Sequence, residues 1–351
     1  MNIMSQETTN KEDIGRRRFD ANQNPGFKDG SVKASFLLAA VPDIQETHFN
    51  IQTVLSKLGL DNIKYAGVAD LKLCQILCGL SEGSMATHPC YICTWSRFEP
   101  FKEGQPRTLG SLRSSSEKFK AAGSQKKDAK LYDNCINDVL ICGNDEDEII
   151  KHLAPPELHL MEGATNHIVK AIIKNGGSQV QDEIAKQLNI SRCIQNNAFN
   201  GNASRKILKN WHIYQDKLPV HLKPFAEGLR LLDKVVTSCF SLALLPEFEE
   251  SVDRFIRHYK TLIEDFGITV TVKLHIIFNH VPSFCKKTGL GLGFFSEQAT
   301  EAIHYSFIQE AWERFRVSNN HAEYGEHLRK AVVSYNSKHL VNICKDVHEI
   351  I

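Results

Sequence analysis

Two widely separated pairs of side chains have the types and spacing of metal ligands. Cys90 and Cys93 form a Cys-x-x-Cys pair in the stretch PCYIC, and His275 and His280 form a His-x4-His pair in KLHIIFNH. A Cys-x-x-Cys turn can present two thiolates to one tetrahedral ion, and imidazoles complete such sites. About 180 residues separate the two pairs, far more than in a zinc finger. A shared ion would therefore clip two distant parts of the chain together.

Other interpretations of these side chains remain open from the residues alone. The two cysteines are also typical of buried core thiols, and the two histidines of helix-face packing or capping. His159 and His167, on another predicted helix, are alternative ligands. Cys74 and Cys78 lie four apart on an apolar stretch that predicts a helix, so we expect them in the core.

Several carboxylates have positions suited to phosphodiester chemistry, which two metal ions held by acidic residues from separate elements can perform. Asp70 follows an apolar run, and α/β folds present functional groups at strand ends. Glu297 and Glu301 lie four apart on a predicted helix, although Ser296 as an N-cap would by itself favour an acidic residue at Glu297. Asp20 is a further candidate, but three arginines precede it, and a loose tail is the alternative.

The N-terminal third predicts an α/β unit. Residues 33–41 and 63–69 are short apolar runs typical of buried strands, and residues 48–60 and 71–80 have helical apolar spacing. Alternation of strand and helix favours a parallel α/β arrangement. Residues 101–147 are polar, and the stretch at residues 114–130 within them is interpreted as a flexible insert.

The remainder of the chain predicts long helices. From residue 148 onward the apolar spacing is helical, and one such stretch starts at a proline pair and stops at Gly176 and Gly177. The predicted fold class is therefore α/β plus a large all-α insertion, with one late helix returning to the sheet.

Composition limits the function classes. The 351 residues are 42% hydrophobic and 24% charged, typical of a globular protein, and no apolar run is long enough for a membrane helix. The polar start lacks a signal-peptide core, which predicts an intracellular protein with reduced thiols among its ten cysteines. A net charge of +1 does not indicate nucleic-acid binding by the protein as a whole, so such binding would need a local site. Gly-x-Ser-x-Gly, His-Glu-x-x-His and P-loop patterns are absent.

The order of these motifs resembles the catalytic core of the DDE transposases related to Transib elements and to the catalytic subunit of the V(D)J recombinase. It is also similar to transposon-derived proteins of animal genomes. The resemblance spans roughly residues 15–340. The motifs that carry it, as they stand here, are DLK at residues 70–72, CYICTW at 90–95, ELHLMEGATNHIVKAI at 157–172, NGNASRKILK at 200–209, and NHVPSF followed by GLGFFSEQATE at 279–301.

The resemblance implies an RNase H-like core with a zinc-clipped helical insertion before the last catalytic helix. Residues 1–15 would be a disordered start, and residues 16–95 with 290–345 would form the discontinuous core. Residues 96–289 would be the insertion, joined to the core by Zn²⁺ on the two cysteines and two histidines.

The resemblance also implies roles for single residues. Asp70 matches the second catalytic aspartate and Glu301 the catalytic glutamate, with Glu297 one turn earlier as an alternative. Asp20 matches the first aspartate loosely. Mg²⁺ or Mn²⁺ would be the catalytic cofactor. Residues expected to contact the nucleic-acid backbone are Asn202, Arg205, Lys206 and Lys209, with a solvated helix face as the alternative for the three cationic ones.

The function implied is DNA cleavage and strand transfer, with DNA as partner, a homodimer and a nuclear location. The family carries DNA-binding regions upstream of its core, and this chain starts essentially at the first strand, so we expect a truncated, degenerate or repurposed transposase. The alternative is a catalytically inactive, zinc-stabilised domain that binds nucleic acid or protein.

Overall fold

The computed structural model describes residues 2–5, 37–38, 40–41, 44–83, 85–190, 198–296, 303, 305–318 and 320–348. The described part of the chain is mostly helical, with 61% helix and 4% strand. The chain divides into two compact units, one made of Met1–Ile63 with Glu297–Ile351 and the other of Lys64–Ser296. Among the described residues, no helix combines the length and the apolarity needed to cross a membrane.

Two short strands and thirteen α-helices are named here in chain order. The strands are β1 (Asn2–Ser5) and β2 (Tyr65–Val68). The helices are α1 (His48–Lys57), α2 (Leu71–Leu77), α3 (Leu109–Ala121), α4 (Glu157–Ile172), α5 (Ser178–Gln187), α6 (Gly201–Lys209), α7 (Trp211–Lys217), α8 (Lys223–Cys239), α9 (Phe248–Phe266), α10 (Val272–His275), α11 (Val281–Thr288), α12 (Glu313–Phe315) and α13 (Tyr324–His348).

Tighter and wider helical turns join these elements. The 3-10 segments are Lys126–Tyr132, Ile149–Lys151, Val220–Leu222 and Leu292–Phe295, and the π-helical segments are Ile173–Gly177, Ile276–His280 and Phe307–Trp312. The predicted stop at the glycine pair corresponds to a kink, because Gly176 has a φ of 106° that L side chains rarely adopt.

In the unit that contains both chain ends, a small apolar cluster is formed by late residues. Its buried members are Ile303, Phe307, Ala311, Ala331 and Tyr335. The predicted helix at residues 48–60 is confirmed as α1, whose N-cap Thr47 accepts a hydrogen bond from the Asn50 amide.

The strand predicted at residues 33–41 is wrong for its described part. Leu37, Leu38, Ala40 and Val41 belong to no helix or strand, and Leu38 and Val41 are exposed. The Leu37 amide donates to Asn336 Oδ1 at 2.9 Å, and Asn336 Nδ2 donates back to the Leu37 carbonyl at 2.9 Å. A side-chain amide therefore satisfies the backbone groups that a neighbouring strand would otherwise bind.

The unit Lys64–Ser296 begins with the predicted strand and helix. Residues 63–69 contain β2 and residues 71–80 contain α2, as the apolar patterns predicted. Cys74 and Cys78 are fully buried, which confirms them as core residues.

The flexible insert predicted at residues 114–130 is wrong. Helix α3 and the 3-10 segment Lys126–Tyr132 occupy most of this stretch. Thr108 and Ser111 form a capping box at the start of α3. The apolar side of the helix buries Leu109, Leu112 and Phe119. Three consecutive serines, weak helix formers, hide this apolar stripe in the sequence.

The helices predicted between residues 148 and 290 pack around one another in the same unit. Helix α4 contacts α6, α8 and α10, and α8 packs along α9. Buried side chains on these helices include Leu160, Leu229, Leu232, Phe255 and Tyr259. This core supports the segment from α10 to α11 that carries both histidines. The predicted RNase H-like class and the boundaries at residues 95 and 290 stay predictions.

Candidate metal centre and neighbouring cleft

Ligand atoms of Cys90, Cys93, His275 and His280 all lie within 4.8 Å of one another. Cys93 Sγ is 3.2 Å from the Nε2 atoms of both histidines, and Cys90 Sγ is 3.5 Å from His280 Nε2. The two Nε2 atoms are 3.1 Å apart. Standard zinc bond lengths in a tetrahedron put ligand atoms about 3.3–3.8 Å apart. This cluster could hold a metal ion such as zinc.

The cysteine turn is fixed by a buried arginine. Arg107 is 2% exposed, and its Nε donates to the carbonyls of Cys90 and Cys93, each at 3.0 Å. Its Nη2 donates to the Asp133 carbonyl at 2.7 Å. The Ile92 amide donates to Cys90 Sγ at 3.4 Å. Arg107 therefore fixes the backbone of the turn that presents both thiols.

The histidine pair depends on a π-helical turn. In a regular α-helix, residues five apart point about 140° away from each other. Residues 276–280 instead form a π-helix, with the Val281 amide bonded to the Ile276 carbonyl, so His275 and His280 face the same side. Pro282 follows directly; it lacks the amide that would bond to the Phe278 carbonyl, and its ring would clash there.

Two further side chains orient His275. The Trp95 ring stacks on its imidazole, with centroids 4.3 Å apart and planes at 11°. Trp95 is 1% exposed and its indole donates to the Pro100 carbonyl at 3.2 Å. Asn279 lies with its amide 3.0 Å from His275 Nδ1. Trp95 and Asn279 therefore fix the orientation of the His275 ring.

Protonation in the cluster suits metal binding. Burial is the main cause that lowers the pKa of His275, which favours the neutral imidazole that ligates metal. A hydrogen bond from Cys90, aided by both imidazoles, holds the pKa of the Cys93 thiol well below its ordinary value. Burial raises the pKa of Cys90. A bound cation would favour both thiolates.

The alternative histidine ligands lie elsewhere. His167 Nε2 contacts the Thr269 carbonyl at 2.9 Å, and burial lowers its pKa. His159 lines a cleft. Among the described residues, the Cys90, Cys93, His275 and His280 set is the one group of acidic, cysteine and histidine side chains placed to share an ion.

Asp70 caps helix α2. Its Oδ1 accepts a hydrogen bond from the Leu73 amide at 2.8 Å, so the residue has a structural role at the N-cap. It follows β2 by two residues, as the strand-end interpretation predicted.

Asp70 also borders an open cleft of about 410 Å³. The cleft mixes acidic, basic and amide side chains: Asp70, Leu71, Lys72, Gln75, Glu82, Gly83, His159 and Lys273. Lys72 and Glu82 approach to 3.9 Å. A cleft that offers both acidic and basic side chains suits a polar ligand.

Two residues that line this cleft connect it to the metal cluster. Lys273 lies two residues before His275, and Gln75 Nε2 donates to the carbonyl of Pro89, next to Cys90, at 2.7 Å. The end of the Lys273 side chain passes directly over Gly163 of α4.

Of the residues predicted to contact nucleic-acid backbone, Arg205 has a protein partner. Its Nη2 donates to Glu157 Oε1 at 2.9 Å, and Glu157 is fully buried. Ser296 donates to the other oxygen, Oε2, at 2.9 Å. Arg205 therefore neutralises a buried carboxylate.

Asn202, Lys206 and Lys209 lie exposed on one side of α6, at positions four and three residues apart. This arrangement fits both a backbone-contacting surface and an ordinary solvated helix face. Asp20, Glu297 and Glu301, the other predicted catalytic carboxylates, lie outside the described residues.

Sequence reasoning did not single out Arg107, Trp95, Pro282 or Glu157. Pro282 could have been found from the sequence, because a proline two residues after a candidate ligand histidine predicts a disturbed helix. Trp95 follows the cysteine pair by two residues. Arg107 and Glu157 become significant only through burial.

Comparison with known families adds one match. Residues 27–118 match the family described as a domain of unknown function, DUF8703. This segment is about a quarter of the chain and includes Asp70 and both ligand cysteines. No curated protein matches the chain.

Proposed function

We propose that this chain is the zinc-stabilised core of a DNA-processing protein that cuts phosphodiester bonds at a DDE-type site containing Asp70. The observation that carries the proposal is the meeting of Cys90 and Cys93 with His275 and His280. The resemblance to DDE transposases predicts this ligand set. The same resemblance extends the proposal to a nuclear homodimer.

Within the cleft, Asp70 would hold a catalytic metal ion. Its Oδ1 caps α2, and a carboxylate has about four acceptor sites, so capping leaves Oδ2 for a cation. Mg²⁺ or Mn²⁺ would supply activation of the attacking oxygen and stabilisation of the leaving one. Lys72 and Lys273 line the same cleft and add positive charge suited to a phosphate backbone. Asp20 with Glu301 or Glu297 would complete the carboxylate set.

The test is a nicking assay on labelled duplex DNA with Mn²⁺, comparing wild type with Asp70→Asn. Asparagine caps helices as well as aspartate, so this variant keeps the fold while losing the charge that a metal ion needs. We expect nicking by wild type and loss of at least about a hundredfold in the variant. Asp253→Asn, an exposed position on α9, is the matched control and should nick normally.

Equal nicking by wild type and Asp70→Asn would remove Asp70 from the site. One observation favours the second candidate function, a non-enzymatic zinc-stabilised domain that binds nucleic acid or protein. Asp70 already has a structural role as the N-cap of α2. That candidate predicts bound zinc without Mn²⁺-dependent nicking in either protein.

A further inference from the structure

The loop after the cysteine turn is closed on itself. The Thr94 amide donates to the Gln105 carbonyl at 2.9 Å, and the Gln105 amide donates to Thr94 Oγ1 at 3.0 Å. At Gly104 a Cβ would overlap the backbone of Trp95, so the two ends of the loop pass in direct contact. Residues 94–105 therefore form an Ω-loop, a compact surface loop with adjacent ends.

The interior of this Ω-loop is filled by Trp95. Its indole bonds within the loop to Pro100, and its ring stacks on the ligand His275. The Arg97 amide also donates to the Thr87 carbonyl at 3.1 Å, outside the loop. Trp95 and the Arg97 amide thus anchor the loop to the metal cluster and to Thr87.

The Ω-loop also exposes aromatic side chains. Phe98 is 68% exposed and Phe101 is 45% exposed, three residues apart. Met85, 75% exposed, contacts the Arg97 guanidinium at 3.1 Å. Exposed apolar side chains gathered on one loop favour a role in interaction.

Each exposed ring has a cation over it. The Arg97 guanidinium lies 4.8 Å from the Phe98 ring centroid, and Lys260 Nζ lies 4.8 Å from that of Phe101. Within the described residues, no ion pair joins either cation to a carboxylate. The acidic residues of the loop are Glu99, which pairs with Lys102 at 2.9 Å, and Glu103.

We propose that the Ω-loop at residues 94–105, with Lys260, is a binding surface for single-stranded nucleic acid, in which Phe98 and Phe101 stack on bases and Arg97 and Lys260 contact phosphates. Flat rings with cations beside them are the components that single-strand binders combine, and stacking tolerates any base. The choice of nucleic acid rests on the proposed function. The surface itself lies outside the Asp70 cleft and adds a second contact for a strand.

The test is fluorescence anisotropy of a labelled oligothymidylate of about 12 nucleotides, a length within the usual single-strand site size. The full chain, loaded with zinc, is compared with Phe98→Ala and Phe101→Ala. Each substitution should weaken binding about 5- to 100-fold, and Phe98→Trp should retain it. Rising salt should weaken wild-type binding. Phe49→Ala, at a phenylalanine 73% exposed in the other unit, is the matched control and should bind as wild type.

Unchanged affinity of the Phe98→Ala, Phe101→Ala double variant overturns the inference, as does failure of wild type to bind the oligonucleotide. An apolar protein partner for the loop would give the first of these results. Neither result bears on Mn²⁺-dependent nicking by wild type and its loss in Asp70→Asn, so failure of the inference and failure of the proposed function are separately visible.

Discussion

Helix α10 contributes Lys273 to the Asp70 cleft and His275 to the metal cluster, yet the two sites are built differently. Around the cluster, buried neighbours fix each part: Arg107 holds the cysteine turn, Trp95 stacks on His275, and the π-turn aligns the histidines. The cleft is open and mixes charges of both signs. All four proposed zinc ligands meet in the cluster, and the packing around them holds them there. The proposed catalytic site, in contrast, needs further carboxylates that do not line the cleft.

The largest expected effect comes from breaking the cluster. Cys93→Ser removes a thiolate that lies 3.2 Å from both imidazoles, so the chain should lose about one zinc and much of its folding free energy. Thermal unfolding with and without a chelator, alongside metal analysis, measures this. Cys142→Ser, outside the cluster, should keep its zinc. Full zinc content in the Cys93→Ser protein would mean that the ion is held elsewhere.

A smaller effect is expected at the buried carboxylate. Arg205→Met leaves Glu157 buried without its cation, which should lower the free energy of unfolding by about 2–4 kcal/mol, since Arg205 is one-third exposed and partly screened. Urea unfolding gives the value. Lys206→Met, on the neighbouring exposed position, should change it by less than about 0.5 kcal/mol. Similar small changes in both variants would show that the ion pair contributes little.

The smallest effect is expected at the π-helical turn that aligns the two histidines. Pro282→Ala restores an amide that can bond to Phe278 and straighten the π-turn, which would separate the two imidazoles. We expect zinc affinity to fall about 10- to 100-fold with little loss of helix content. Competition with a chromophoric chelator measures the affinity. A variant that binds zinc as tightly as wild type would show that the π-turn does not depend on the proline.

The metal cluster was predictable from the sequence because residue type and spacing carry it. The residues alone left core thiols and helix-face histidines as alternatives, and the order of the two pairs within the resemblance favoured a shared ion. Helices α4, α8 and α9 follow from apolar periodicity. Helix α3 was missed because its serines weaken the helical signal while its capping box and buried stripe decide the structure.

Other parts of the site could not be read from the sequence. Arg205 was expected to contact phosphate, but its partner Glu157 lies 48 residues away, and only packing brings them together. Arg107 likewise appears as an ordinary surface cation until its burial behind the cysteine turn is known. The sequence shows the charge of an arginine but not the buried groups that the fold places beside it.

X-ray absorption at the zinc edge of the wild-type protein tests the central claim most directly. One zinc per chain is predicted, with two sulfur ligands at about 2.3 Å and two nitrogen ligands at about 2.0–2.1 Å. Absence of bound metal, or a shell made of oxygen or of four sulfurs, would contradict the account.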